Sequence, residues 1–243
     1  MAEREDLPTY PGEINSMDDL CDAFRWIEQQ GCVDAYSRGP HSVGTTLEIM
    51  LNHALDADSA SDFGFTELKA QRSETSSPTT LFTKEPSYND GWSMRRVIEE
   101  HGYRDVDDLL ALRINLYDYD NHGLYLGSDE ESMTLMSTEF GEIGYWMEGS
   151  LDDGLQKISD VCYVSAEVCD ADDGEQFHYN LFQRLTLPEN FDSEDFLSLI
   201  EEGSITVELR AYIRDDGTVR NHGTAFRSPD ILSISSYDRE SLI

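Results

Sequence analysis

Apolar residues recur along this chain at two periods, and the switches between them outline its elements. Met17, Leu20, Cys21, Phe24 and Ile27 fall at helical spacing behind Ser16, a residue suited to cap a first helix. Gly39-Pro40 breaks the chain, and a second helix begins near Thr45 with Leu47, Met50, Leu51 and Ala54 as its apolar stripe. Residues 62–72 read as a turn at Gly64 followed by a strand, 73–80 as a polar loop, and 81–84 as a short strand. A third helix is predicted over 93–101, closed by Gly102 in the left-handed position that often ends helices.

The second half changes to period two. Leu110, Leu112, Ile114 and Leu116 alternate with Ala111, Arg113, Asn115 and Tyr117, which predicts a half-buried strand. Segments near 123–126, 133–138 and 142–147 suggest a meander. Residues 151–158 read as a helix, and 161–168 as a strongly apolar strand. A helix over 193–202 ends at Gly203. The next strand turns Ile205, Val207, Leu209, Ala211 and Ile213 to one face, and Glu208, Arg210, Tyr212 and Arg214 to the other. No internal repeat or long linker appears. The pattern implies an α/β protein with a substantial antiparallel component.

At 243 residues, 39% hydrophobic and 10% aromatic, the chain can bury a sizeable core despite a net charge of −33. No apolar run approaches the roughly 20 residues of a membrane span. The first six residues contain no apolar stretch of the kind that directs export. Cys21, Cys32, Cys162 and Cys169 have no zinc or CxxC spacing and read as reduced thiols of a cytoplasmic protein. The acids are spread along the whole chain. Of 17 basic residues, 14 are Arg, and Lys69, Lys84 and Lys157 are the only lysines. This resembles adaptation to a salt-rich cytoplasm, where the Debye length at about 1 M salt falls to roughly 3 Å and self-repulsion is screened. The alternative is charge used for steering. If acidity reports habitat, function is to be sought where the acidity lapses.

It lapses twice. In 67–84, Lys69, Arg72 and Lys84 face Glu67 and Glu74; in 204–227, Arg210, Arg214, Arg220 and Arg227 outnumber Glu208, Asp215 and Asp216. The first window holds the candidate chemistry. Period two puts Glu67 and Lys69 on one strand face, with Leu68 and Ala70 towards a core, and the turn folds Asp62 back beside Glu67. Two carboxylates suit Mg²⁺, a hard cation, and a nearby ammonium suits phosphodiester hydrolysis. In so acidic a chain the carboxylates carry little information. A lysine retained where nearly every other basic residue is Arg carries more, because a compact ammonium orients water better than a planar guanidinium. Glu48 is either a third acid of this site or, as Thr45-x-x-Glu48, half of a helix capping box. The face bearing Arg210, Tyr212 and Arg214 is either an ordinary polar face or one that reads phosphates and base edges. His222 has no apparent catalytic partner, and no P-loop or dinucleotide fingerprint is present.

The segments Gly44-Thr45-Thr46-Leu47-Glu48, Asp62-Phe63-Gly64, Glu67-Leu68-Lys69, Thr80-Leu81-Phe82-Thr83-Lys84, Phe177-His178-Tyr179-Asn180 and His222-Gly223-Thr224-Ala225-Phe226-Arg227 carry a resemblance. In their order the chain resembles the MvaI/BcnI restriction endonucleases, related in their catalytic core to the mismatch-repair nickase MutH. The resemblance implies a PD-(D/E)XK core, a mixed central sheet flanked by helices, with a smaller DNA-recognition lobe. Approximate boundaries are 1–170 for the catalytic lobe (core 43–170) and 171–243 for recognition. It implies Mg²⁺-dependent, sequence-specific cleavage of double-stranded DNA by a monomer, with a methyltransferase as genetic partner. Asp62 and Glu67 would be metal ligands, Lys69 would orient water, and Glu48 would be an auxiliary acid. Arg210, Tyr212, Arg214, His222 and Arg227 would lie at the DNA. Alternatives are a strand-nicking repair enzyme of MutH type and an inert DNA-binding module of the same fold. The extreme acidity departs from the resemblance and sets DNA affinity at ordinary salt apart.

Overall fold

The computed structural model describes residues 6–53, 61–117, 119–128, 132–147, 149–169 and 175–243. In chain order the elements are α1 (Met17–Glu28), β1 (Val33–Asp34), α2 (Ser42–Met50), β2 (Glu67–Arg72), β3 (Thr79–Thr83), β4 (Ser87–Tyr88), α3 (Met94–His101) and β5 (Tyr103–Arg104). There follow β6 (Leu110–Leu116), β7 (Leu124–Ser128), β8 (Ser132–Ser137), β9 (Gly141–Met147), α4 (Asp152–Ile158) and β10 (Asp160–Cys169). The last are β11 (Gln176–Thr186), α5 (Ser193–Glu201), β12 (Thr206–Ile213), β13 (Val219–Asn221), β14 (Ala225–Ser228) and β15 (Asp238–Ser241). Ala54, assigned above to the stripe of the second helix, and the first five residues lie outside the described residues.

The chain forms two compact units of similar size, each built from separated segments. One comprises Met1–Ser77, Lys157–Pro188 and Ser235–Ile243; the other comprises Pro78–Gln156 and Glu189–Ile234. The division differs from the expected one at about residue 170. That boundary would part β10 from β11, which pair antiparallel from Asp160↔Thr186 to Cys169↔Gln176.

The first unit is a mixed sheet in the order β1-β11-β10-β2, with β15 added to β11. β2 and β10 run parallel, and their register sets Glu67 beside Val161 and Lys69 beside Tyr163. Ser16 caps α1 by accepting from the Asp19 N–H at 3.2 Å, as its position before the apolar stripe predicts. Leu20, Ala23, Phe24 and Ile27 of α1 join Leu47 and Met50 of α2, Leu68 of β2, and Val164, Phe177 and Phe182 in one core. The strand faces therefore fall as period two demands, with Leu68 inward.

The second unit holds a sheet in the order β3-β14-β12-β6-β5, with β13 on β12, and the meander β4-β9-β8-β7. Gly102 does follow α3, but with φ −73°. Its reason is crowding: a Cβ there would lie 2.4 Å from the Ile98 carbonyl oxygen and 3.0 Å from that of Ala111.

Cys32 and Cys169 are joined in a disulfide, with Cα atoms 6.3 Å apart across a sequence separation of 137 residues. This corrects the reading of four reduced thiols and removes cysteine usage as an argument for a reducing compartment. Cys21 and Cys162 are free, and burial pushes the Cys162 thiol up to about 12, which leaves it unreactive. No helix among the described residues is long and apolar enough to cross a membrane.

Phe24 is fully buried, and its ring lies 4.7 Å from that of Phe182. Phe24→Ala should cost about 3–5 kcal/mol by leaving a cavity between α1 and the sheet. Denaturant unfolding at fixed high KCl measures this; a loss below about 1 kcal/mol would place the core elsewhere.

Candidate active site and basic face

The turn before β2 is built for a return of the chain. Gly64 takes φ +73°, a conformation costly for residues with a Cβ, and its N–H donates to the Ser61 carbonyl at 2.9 Å. Phe63 N–H donates to the Thr66 carbonyl at 3.3 Å. This folding brings Asp62 Oδ2 to 2.7 Å from the Leu68 N–H, which donates to it. Asp62 thus sits at the start of the strand that carries Glu67, as the sequence predicts. Thr66, also buried, donates to the Asp160 carbonyl at 3.2 Å and ties the strand end to β10.

Glu48 belongs to the same group. It is half-buried in the last turn of α2, and burial raises its pKa above the usual glutamate value. Asp62 adds to that rise and Glu67 contributes further, while His53 and Lys69 oppose it. The capping-box alternative fails because α2 starts at Ser42, so Thr45 lies inside the helix, and the N-cap residue His41 makes no side-chain cap. His53 just beyond α2 hydrogen-bonds through Nε2 to the Asp62 carbonyl, and its ring packs 4.9 Å from that of Phe63. His53 went unnoticed in the sequence because its approach to Asp62 crosses a segment with no periodic signal.

Glu67 is the most constrained member, only 3% exposed. Lys69 Nζ donates to its Oε1 at 2.6 Å. Its Oε2 accepts no hydrogen bond, although Lys157 Nζ stands 3.4 Å away. Lys157, in the last turn of α4, was missed by motif reading. The signal was present: it is one of only three lysines, and two of those three meet Glu67.

Among the described residues no group of three or more His, Cys, Asp or Glu is gathered for a metal ion. The donors here are two carboxylates, the set with which Mg²⁺ is ordinarily held while keeping several waters. A buried carboxylate oxygen without a hydrogen bond is the feature that fits such an ion.

The second unit carries the basic face. β12 and β6 pair antiparallel with Arg210 directly opposite Arg113, and β13 sets Arg220 opposite Tyr212. The Arg113 guanidinium lies 5.5 Å from the Tyr212 ring centroid, and the Tyr212 and His222 rings are 6.1 Å apart. Like charges directly across a strand pair are unfavourable, so this face concentrates positive charge at a cost. Arg113 was missed because only the pairing of β6 with β12 brings it to Arg210. Arg214 lies just past β12 and is exposed.

Arg227 is placed differently: its guanidinium donates to Glu208 Oε2 at 2.6 Å and to the Pro78 carbonyl at 2.6 Å. Arg210 is half-buried; its Nε is 3.8 Å from the same Glu208 oxygen and makes no hydrogen bond. Burial lowers its pKa, and Arg227 acts in the same direction. The His222 segment turns at Gly223, where φ is +84° and a Cβ would come within 3.2 Å of Thr83. Thr224 then anchors it, its N–H donating to Glu85 Oε1 at 2.5 Å and its hydroxyl at 3.1 Å.

Asp62, Glu67 and Lys69 thus gather at one strand end of a mixed parallel and antiparallel sheet. The profile of the MvaI/BcnI restriction endonuclease family matches residues 21–231, and the chain belongs to that family. Among solved structures it is similar to that of restriction endonuclease MvaI in complex with its cognate DNA substrate, with TM-score 0.80 and 22% identity over 96% of this chain and all of the other. The structure of MvaI without DNA matches with TM-score 0.52 and 21% identity over the same shares. No curated protein matches.

The imidazole of His222 has its pKa lowered, first by lost hydration and then by Arg220, Arg210, Arg113 and Arg214. Its protonated form is therefore disfavoured in the fold, and the associated stability is complete above about pH 6.5 and is lost as pH falls towards the lowered value. An NMR titration should find His222 titrating below 6.5, and Arg220→Ala should move it upwards. No movement would mean that the arginines do not act on it.

Proposed function

We propose that this protein is a Mg²⁺-dependent endonuclease that cuts both strands of duplex DNA at a specific short sequence. The observation that carries the reading is the convergence of Asp62, Glu67, Lys69 and Glu48 at the start of β2, with one buried oxygen of Glu67 left without a hydrogen bond. Family membership and the likeness to MvaI bound to its cognate DNA support it.

Asp62 and Glu67 would hold the ion. Bound Mg²⁺ supplies Lewis-acid polarisation of a phosphoryl oxygen and an acidified water. Lys69 fixes the orientation of Glu67 through Oε1 and keeps an ammonium where the attacking water and the developing negative charge require it. Glu48 serves as the auxiliary acid. In the second unit, Arg210, Tyr212, Arg214 and His222 form the surface for phosphates and base edges, joined by Arg113 and Arg220. Arg227 would lie beside them, sharing Glu208 Oε2 with Arg210 at 2.6 Å and 3.8 Å respectively. The enzyme would work as a cytoplasmic monomer beside a methyltransferase that protects host sites.

The acidity bears on conditions. Neutralising about six phosphates would lose on the order of 10⁵ in affinity per tenfold rise in salt. A protein of net charge −33 adapted to concentrated salt should lean on base contacts and shape, with a shallower dependence.

The test is incubation with supercoiled plasmid in high KCl, with Mg²⁺ or EDTA. Linear fragments of defined size are expected with Mg²⁺ only, persisting as KCl rises. Glu67→Ala and Lys69→Ala should each lower the rate at least about 100-fold while keeping DNA binding. Open circles alone would indicate nicking, and binding without any cutting by the native protein would indicate an inert module.

A further inference from the structure

Glu67 meets two ammonium groups on two different oxygens. Lys69 makes a short hydrogen bond to Oε1, while Lys157 stands by Oε2 at 3.4 Å without forming one. Both lysine side chains are largely covered, at 17% and 20% exposure, and Glu67 at 4%, so these charges meet with little water between them. The two contacts differ in kind. Lys69 is two residues away on the same strand face and is tied to Glu67 by local geometry. Lys157 arrives from the end of α4 and faces the one oxygen whose lone pairs no donor uses.

We propose that Lys157 is a resident counter-cation for Glu67: its ammonium balances Oε2 in the metal-free protein and competes with the divalent ion for that oxygen. This rests on the reading of Glu67 as a metal ligand. A divalent ion at Oε2 and an ammonium at the same oxygen repel one another strongly in a site so poorly hydrated. The ion must therefore displace the Lys157 ammonium, and the apo site stays intact without a bound metal because the lysine is there. A cation with a flexible stem suits the task, since it can withdraw without moving the helix that bears it. Its position in the last turn of α4 also places it where a positive charge is favoured.

Metal binding without DNA tests this on the full chain. Mn²⁺ affinity at fixed KCl, read from the EPR signal of free Mn²⁺, should be about tenfold tighter in Lys157→Gln than in the native protein, and no tighter in Lys157→Arg, which keeps the charge. The metal-free Lys157→Gln protein should melt lower, with the loss recovered on adding Mn²⁺. Unchanged or weaker Mn²⁺ binding in Lys157→Gln overturns the proposal. Identical binding by the native protein and Glu67→Gln instead overturns the metal reading itself.

A second measurement avoids any dependence on that variant's folding. Only three lysines exist, so ¹³C-lysine labelling gives three Cε signals, assigned with Lys157→Arg. Mg²⁺ should shift the Lys157 signal and leave that of Lys84 in place. A Lys157 signal indifferent to Mg²⁺ overturns the proposal.

Discussion

Burying a carboxylate costs free energy unless opposite charge and hydrogen bonds offset it, and removing one partner of a buried pair commonly costs about 3–5 kcal/mol. Glu67 is where this protein accepts that constraint. The strand that holds it is locked into the sheet by its parallel pairing with β10, and its opposite face is locked by Leu68 in the core. Lys69 and Lys157 answer the charge, the Leu68 N–H draws Asp62 back to the same strand end, and the proton affinity of Glu48 rises through burial first and through Asp62 second. In the proposed function, the reason to hold a charged group this tightly is a cation.

The basic face in the second unit follows similar logic with the signs exchanged. Arg210 and Arg113 oppose each other across a strand pair in a chain whose net charge is −33. Among the described residues Asp105 stands 3.6 Å from Arg113, and Glu208 is bound mainly by Arg227 and reaches Arg210 at 3.8 Å. The face retains positive charge and aromatic rings together, which is the combination that suits nucleic acid better than a protein surface of mixed charge.

Local chemistry was legible in the sequence wherever the interaction is local. The Ser16 cap, the turn at Gly64 and the split of β2 into Glu67 and Lys69 on one face and Leu68 on the other follow from spacing alone. Glu48 was ambiguous because two readings shared the same residues. Only the capping-box reading is removed, by where α2 begins, three residues before Thr45, with no side-chain cap to mark the start. Lys157, Arg113 and the Cys32–Cys169 bond depend on pairings between distant segments, and periodicity carries no information about which strands pair. The compact units divide the chain differently from the expected lobes for the same reason: the chain leaves the first unit at Ser77 and returns at Lys157, within a helix that has no break in its pattern. The ordered motifs of the family resemblance add what spacing cannot, since they imply roles for His222 and Glu48 that no local pattern suggests.

The central claim is that the Glu67 carboxylate is built to exchange an ammonium for a divalent ion. Anomalous diffraction from crystals of the protein soaked in Mn²⁺ tests it directly. The account predicts a Mn²⁺ peak bound by Asp62 and Glu67, with the Lys157 ammonium moved away from Glu67. A protein that cleaves DNA with Mn²⁺ but shows no peak at Glu67, or a peak elsewhere with Lys157 still in place, would contradict it.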